Sequence, residues 1–227
     1  MKIGNGMTAG PAGRRTWVCS WLAIVWVLLG GAWNGFAQRS LSASDAGSES
    51  IWEHGVGEGF RCGAQSLTLS AGASYGVQAI GSVDSHDLAL GSLRYGLMLD
   101  NTRGSGHWYA GNFELQVQLF GGEQFSPSRE WVVGLTPHLV YNFATGTRWV
   151  PFIDGGAGVS GTSIRAPDLG GPFQFNLQAG VGVQRFLTDR MAVTVEASYL
   201  HLSSAGFYEP NNGVNTILGM VGVRFFF

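Results

Sequence analysis

His201 and Ser203 carry the strongest chemical signal in the chain: a base and a hydroxyl two residues apart, opening the stretch HLSSAGFYEPNNGVNTILGMVGVRFFF. On a β-strand, residues i and i+2 project to the same side, so the imidazole and the hydroxyl stand together. Such a pair suits acyl transfer. Ser203 attacks an ester carbonyl, and His201 takes the serine proton and later returns it to the leaving alcohol. Backbone amides around Ser204 to Gly206, where a Gly/Pro/Asn loop begins, are candidates to hold the oxyanion. The plainer account is an interfacial rim, where His and Ser sit comfortably beside lipid headgroups.

The elements that must position this pair are strands. From Ser66 onward apolar and polar residues alternate with a period of two, which marks a strand with one greasy and one polar side. Phe113, Leu115, Val117 and Leu119 alternate with Glu114, Gln116 and Gln118; Phe175, Leu177, Ala179 and Val181 alternate with Asn176 and Gln178; Val193, Val195, Ala197 and Tyr199 alternate with Thr194, Glu196 and Ser198. The pattern predicts eight strands, at about 66–79, 86–99, 108–120, 130–144, 149–161, 173–187, 191–203 and 215–227, separated by turn residues such as Gly121-Gly122 and Pro210-Asn211-Asn212-Gly213. Pro137 interrupts one of them and suggests a bulge. The lengths suit strands that cross a bilayer. A closed antiparallel transmembrane β-barrel, apolar outside and polar inside, satisfies both faces and leaves no free edge. The alternative, a soluble sandwich or lipocalin-like barrel, turns the apolar set inward. Under the membrane reading, His201, Ser203 and Asn215 share the lipid-facing side near one rim. An eight-stranded barrel is too narrow for an open pore.

Composition and the N-terminus agree with the membrane reading. Only 12% of residues are charged, the net charge is −2, and glycine occurs 36 times among 227 residues. That charge gives no reason to expect a nucleic-acid partner. Arg14 and Arg15 precede an apolar run from Trp17 to Trp33, then Gly35-Phe36-Ala37, which reads as a signal peptide cut after Ala37. Residues 38–63 follow as a polar leader and an extended or turn-like segment, and 64–227 as the barrel. With Cys19 lost, Cys62 has no cysteine to bridge. His54, His86, His107 and His138 are scattered and read as structural, with no metal-ligand spacing, and no cofactor is expected. Gly156-Ala157-Gly158-Val159-Ser160-Gly161 matches GxGxxG, but neither the helix nor the acid of a dinucleotide site follows; small residues in a barrel strand account for it.

The segment HLSSAGFYEPNNGVN resembles the active-site stretch of the outer-membrane lipid A 3-O-deacylases, the PagL-type acyloxyacyl hydrolases. That family carries H-x-S-N-x-G, a P-N-x-G turn and then an acid; His201, Ser203, Gly206, Pro210, Asn211 and Gly213 align without a gap. Pro151-Phe152 and Phe175-Asn176 extend the likeness more loosely over residues 51–227. The resemblance implies an eight-stranded outer-membrane barrel that acts on lipid A of lipopolysaccharide in the outer leaflet, with His201 as base, Ser203 as nucleophile and position 215 as the residue that orients the imidazole. Ser204 stands where the family has Asn, and Asn215 where it has Glu. An amide orients an imidazole but does not neutralise an imidazolium, and in the serine-protease case the Asp to Asn change costs about 10⁴ in rate, roughly 5 kcal/mol. Glu209 could stand in for the acid only if the loop folded back, and Pro210 just after it fixes the chain against that. The expectation is therefore a slowed esterase, accelerated by Asn215→Glu, or a non-catalytic barrel with a structural or surface-interaction role.

Overall fold

The computed structural model describes residues 51–227; the expected signal peptide and the leader up to Ser50 lie outside them. Eight antiparallel strands close into a barrel in sequence order: β1 Gln65–Gly76, β2 Asp87–Met98, β3 Gly111–Ser126, β4 Glu130–Phe143, β5 Trp149–Thr162, β6 Phe173–Phe186, β7 Met191–Ser203 and β8 Val214–Phe226. β1 pairs with β8 as well as with β2, so no strand is left as a free edge.

The barrel has the inverted polarity that the alternation demands. Leu69, Leu119, Leu139, Leu177, Val195 and Val221 stand exposed on the outer wall. The lumen is filled by paired polar side chains. Arg94 grips Glu196 with two bonds of 2.6 and 2.8 Å. Arg224 bonds Glu114, and Asn142 bridges Glu114 to Gln184. His138 lies between Asp154 and Gln118. Buried charges persist in this way only when paired and hydrogen-bonded, and the filled lumen is no channel.

Two expectations are corrected. β3 does not turn at Gly121-Gly122 but runs on to Ser126, because both glycines stay in register with Val133 and Val132 of β4. Pro137 makes no bulge either. The β4–β5 register is the same on both sides of it, Leu135 opposite Val159 and His138 opposite Gly156. The register instead shifts between Asp87 and Leu88. The GxGxxG glycines lie within β5, where a Cβ at Gly158 would sit 2.1 Å from the Leu135 carbonyl.

The segment before β1, whose place the sequence leaves open, packs into the barrel end where β1 begins and β8 ends. A 3₁₀ helix, Val56–Phe60, drives Phe60 between Phe186 and Phe226, with ring centroids 5.7 and 5.5 Å away. Val56, Met98, Val150 and Ala192 complete this lower apolar cluster. Phe60→Ala removes a ring that is 1% exposed, at a cost of about 3–5 kcal/mol. A matching fall in the denaturant midpoint of the purified barrel is the expected result. The opposite end carries a second apolar cluster, including Leu88, Leu169, Leu200, Leu202 and Val214, beneath the loops 77–86, 163–172 and 204–213.

Candidate active site

β7 ends at the upper rim with His201 and Ser203 pointing outward, while Leu200 and Leu202 are fully buried in the upper cluster. That alternation locks which side the two polar residues occupy. The strand stops after Ser203 because Ala205 and Gly206 take positive φ values of 50 and 86°, closing a turn in which the Phe207 amide donates to the Ser204 carbonyl at 3.1 Å. Positive φ at both central positions defines a type I′ turn, and glycine at the second makes it cheap.

β8 brings Asn215 directly opposite His201. The imidazole Nδ1 lies 2.7 Å from Asn215 Oδ1. The same oxygen accepts the Tyr199 hydroxyl at 2.5 Å. Asn215 Nδ2 donates to the Ala79 carbonyl at 2.5 Å. Asn215 has the outward parity of its strand, yet it is 0% exposed. The segment after β1 folds over it as a strap, held also by the Val77 amide donating to the Asn215 carbonyl at 2.9 Å. Gly213, with φ +82°, forms the wall beside the imidazole: a Cβ there would come within 2.9 Å of His201 Cε1.

Ser203 stands opposite Phe175 of β6. Among the described residues no hydrogen bond joins its hydroxyl to His201 or to any other protein group. A base–nucleophile bond of this kind commonly forms only as substrate arrives. Of the amides expected to hold an oxyanion, that of Ser204 is already committed, donating to Asn211 Oδ1 at 2.8 Å. The buried Ser204 hydroxyl also serves the loop, through Asn211 Oδ1 and the Tyr208 amide. The amides of Ala205 and Gly206 have no partner among the described residues. Glu209 is exposed, and among the described residues the imidazole is paired with Asn215 and with no carboxylate.

Asp168, in the loop after β5, is the residue that sequence patterning does not single out. Its fully buried carboxylate accepts the amides of Val83 and Asp84, at 2.6 and 2.9 Å, and contacts His86 Nε2 at 2.8 Å. Its carbonyl accepts the amides of Asn212 and Gly213. One side chain and its backbone thus tie the strap over Asn215 to the loop that carries Gly213. Tyr199 is legible in the sequence, since it shares the face of His201 two residues earlier; Ala79, whose carbonyl accepts from Asn215 Nδ2, leaves no such signal.

An apolar track leads away from Ser203. Ser203, Phe175, Val159, Leu135 and Leu119 are successive register partners across β7, β6, β5, β4 and β3. The last four lie two, three, five and seven residues in from the upper ends of their strands, so the row descends from the rim toward mid-wall. Its far part opens into a groove of about 430 Å³ lined by Leu119, Trp131, Val133, Leu135, Val159 and Phe173. Phe173, Phe175 and Phe207 join groove to site through ring contacts of 5.3 and 5.8 Å.

Comparison with known proteins adds the following. The sequence profile of the family described as lipid A 3-O-deacylase (PagL) matches residues 71–224. No curated protein sequence matches. The crystal structure of the outer membrane enzyme PagL is similar, at 20% identity and a TM-score of 0.46, covering 69% of this chain and 97% of that one. Neisserial surface protein A gives 17% identity and a TM-score of 0.51, covering 72% of this chain and 98% of that one. The N-terminal barrel domain of Pseudomonas aeruginosa OprF gives 18% and 0.43, covering 73% and 98%.

Proposed function

The chain belongs to the lipid A 3-O-deacylase (PagL) family, and on that premise we propose that it is an outer-membrane serine esterase that removes an ester-linked acyl chain from lipid A of lipopolysaccharide. The observation that carries this reading is the outward-facing His201–Asn215 pair at the rim, 2.7 Å apart, with Ser203 on the same face and an apolar track running down the wall from it. A lipid that keeps its headgroup at the rim and its chains against the barrel brings its ester to that level.

The chemistry follows from the groups present. Asn215 Oδ1 accepts the Nδ1 proton of His201, which leaves Nε2 with its lone pair. Nε2 takes the proton of Ser203 as Oγ bonds to the ester carbon. The carbonyl oxygen gains the negative charge, and the amides of Ala205 and Gly206 are placed to meet it; one such donor is worth about 10²–10³ in rate. Collapse breaks the bond to the sugar oxygen, which leaves with the proton from His201. Water then attacks the acyl-serine as His201 accepts its proton; the bond to Ser203 Oγ breaks, Oγ takes that proton back from His201, and a fatty acid is released. No metal takes part, and the partner is the lipid itself.

Mass spectrometry of lipid A from a lipopolysaccharide-producing host with and without the protein tests the reading. Loss of one acyl chain on expression is the expected result, and an unchanged spectrum overturns it. One observation favours a second reading, a non-catalytic barrel: Ser203 and His201 are not hydrogen-bonded to each other. The unchanged spectrum is what that reading requires.

The acyl chain released would lie in the descending groove. Gly161→Trp fills it, since a Cβ at Gly161 points to within 3.4 Å of the Trp131 ring. Displacing two methylenes from apolar contact costs about 1.6 kcal/mol, roughly tenfold in kcat/KM. Esters of twelve or more carbons should lose about that factor, while a butyrate ester stays within about twofold. Equal losses on both would place the chain elsewhere.

A further inference from the structure

Asn215 stands where the family pattern has an acid, and three contacts decide what that position accepts. Tyr199 Oη and His201 Nδ1 both approach Oδ1, at 2.5 and 2.7 Å. Either of them can donate or accept, so neither alone fixes which way the amide points. The Ala79 carbonyl, 2.5 Å from the other terminal atom, can only accept. The atom facing it at that distance must therefore be a donor, which the NH₂ of an amide is and an ionised carboxylate oxygen is not. The carbonyl cannot swing aside. It also receives the Ser82 amide at 3.0 Å, across a turn whose central residues Ile80 and Gly81 have φ values of 49 and 90°. A β-branched residue at positive φ is an outlier that local structure must hold in place. Here the turn aims the carbonyl at position 215. The site is closed to solvent, with Asn215 0% exposed, so no bulk water intervenes.

Resting on the esterase reading above, the structure assigns to the Ala79 carbonyl and the Tyr199 hydroxyl the task of holding an amide at position 215 with its oxygen toward His201: the site is built as Ser–His–Asn and is not a Ser–His–acid site that has lost its acid. In serine proteases the Asp to Asn change fails because the imidazole takes the wrong tautomer. That failure needs the amide to turn its NH₂ to the imidazole, which would set its oxygen against the Ala79 carbonyl. Here the strap forbids the turn. Nδ1 stays the donor and Nε2 the base. A carboxylate meets the opposite fate. One oxygen would serve Tyr199 and His201, and the other would face a carbonyl oxygen at what is now a donor–acceptor distance, without water. The acceleration that the family pattern suggests for Asn215→Glu is thereby reversed, the longer side chain adding bulk to the same conflict. Asn215 and Tyr199 are positioning residues, acting through His201.

The test uses the full-length barrel refolded in detergent micelles, its fold checked by heat-modifiable electrophoretic mobility. Asn215→Asp should lower butyrate-ester hydrolysis at least tenfold, and Tyr199→Phe should lower kcat three- to tenfold with KM unchanged. Independently of activity, long-range ¹H–¹⁵N spectra, with the His201 ring assigned through His201→Gln, should show Nδ1–H with Nε2 unprotonated above the imidazole titration. Asn215→Leu should lose that preference. A rate increase in Asn215→Asp or Asn215→Glu overturns the inference, as does an Nε2–H tautomer in the unsubstituted chain. If the unsubstituted chain hydrolyses no ester, the esterase reading falls and the tautomer alone decides. If Asn215→Asp does not fold, Tyr199→Phe and the tautomer decide.

Discussion

Alanine at Ser203 should abolish lipid A deacylation and leave the barrel as stable as before. The two halves of that expectation come from the same fact. The Ser203 hydroxyl has no hydrogen-bond partner among the described residues, so its removal takes no bond from the folded state, and such surface changes usually stay within about 0.5 kcal/mol. For the proposed reaction the hydroxyl is indispensable, because that mechanism has it bond to the acyl carbon. Nucleophile deletions in serine hydrolases leave only the residual catalysis of the oxyanion donors and binding. A site that lacks a triad carboxylate starts from a lower rate, so the visible loss is at least about 10³-fold, or roughly 4 kcal/mol of barrier. Lipid A mass spectra read the activity, and heat-modifiable mobility with a urea titration reads the fold. His201→Ala should match the loss of activity. Deacylation that survives in folded Ser203→Ala would remove Ser203 from the nucleophile's role while leaving the barrel and its family untouched.

What sequence reasoning could reach here follows from which contacts are local. Period-two alternation is a property of single strands, and it located all eight and their lipid-facing sides, because a one-residue slip would turn every Val and Leu into the lumen. The His201/Ser203 pair was legible for the same reason, being two residues apart on one strand. Pairing His201 with Asn215 needs the register of β7 on β8 across the ten-residue loop 204–213, and the family resemblance rather than periodicity points to position 215. Asp168, Ala79 and the Phe60 plug were not legible. Asp168 lies 84 residues from Asp84, whose amide it holds, and Ala79 lies 136 from Asn215. Contacts of that range depend on three loops converging at a rim, and no periodicity encodes loop convergence. The end of β3 was misplaced by reading Gly121-Gly122 as a turn; on a barrel wall, glycine also marks close approach between strands, as at Gly122, where a Cβ would meet the Ala89 carbonyl at 1.9 Å.

Because the rim is assembled by long-range contacts, its weakest point is the residue on which most of them meet, and Asp168→Ala is expected to cost more activity than any other substitution outside the reacting groups. The carboxylate removed leaves the Val83 and Asp84 amides without their acceptor and His86 with Gln124 alone, 2.7 Å away. Unsatisfied buried donors cost about 1–3 kcal/mol each, and such losses are not additive within one network, so the destabilisation should fall near 3–5 kcal/mol, as for a broken buried pair. The consequence for the site is indirect but specific. The strap carrying Ala79 loses its tether and ceases to fix the Asn215 amide, while the backbone carbonyl that holds the Gly213 loop is retained. Activity per folded molecule should fall about 10²-fold, the scale of a misplacement near 1 Å, although Asp168 touches no reacting atom. Phe60→Ala supplies the control. It destabilises the opposite end of the same barrel by a similar amount, and its cluster meets β7 and β8 only at Ala192 and Phe226, at the ends of those strands farthest from His201 and Asn215. Folded Phe60→Ala should therefore keep its deacylase rate within about twofold. If both variants lose activity in proportion to their stability, the loops are scaffolding with no positioning role. If only Asp168→Ala loses it, the alignment of His201 is maintained from the rim and not by the wall of the barrel.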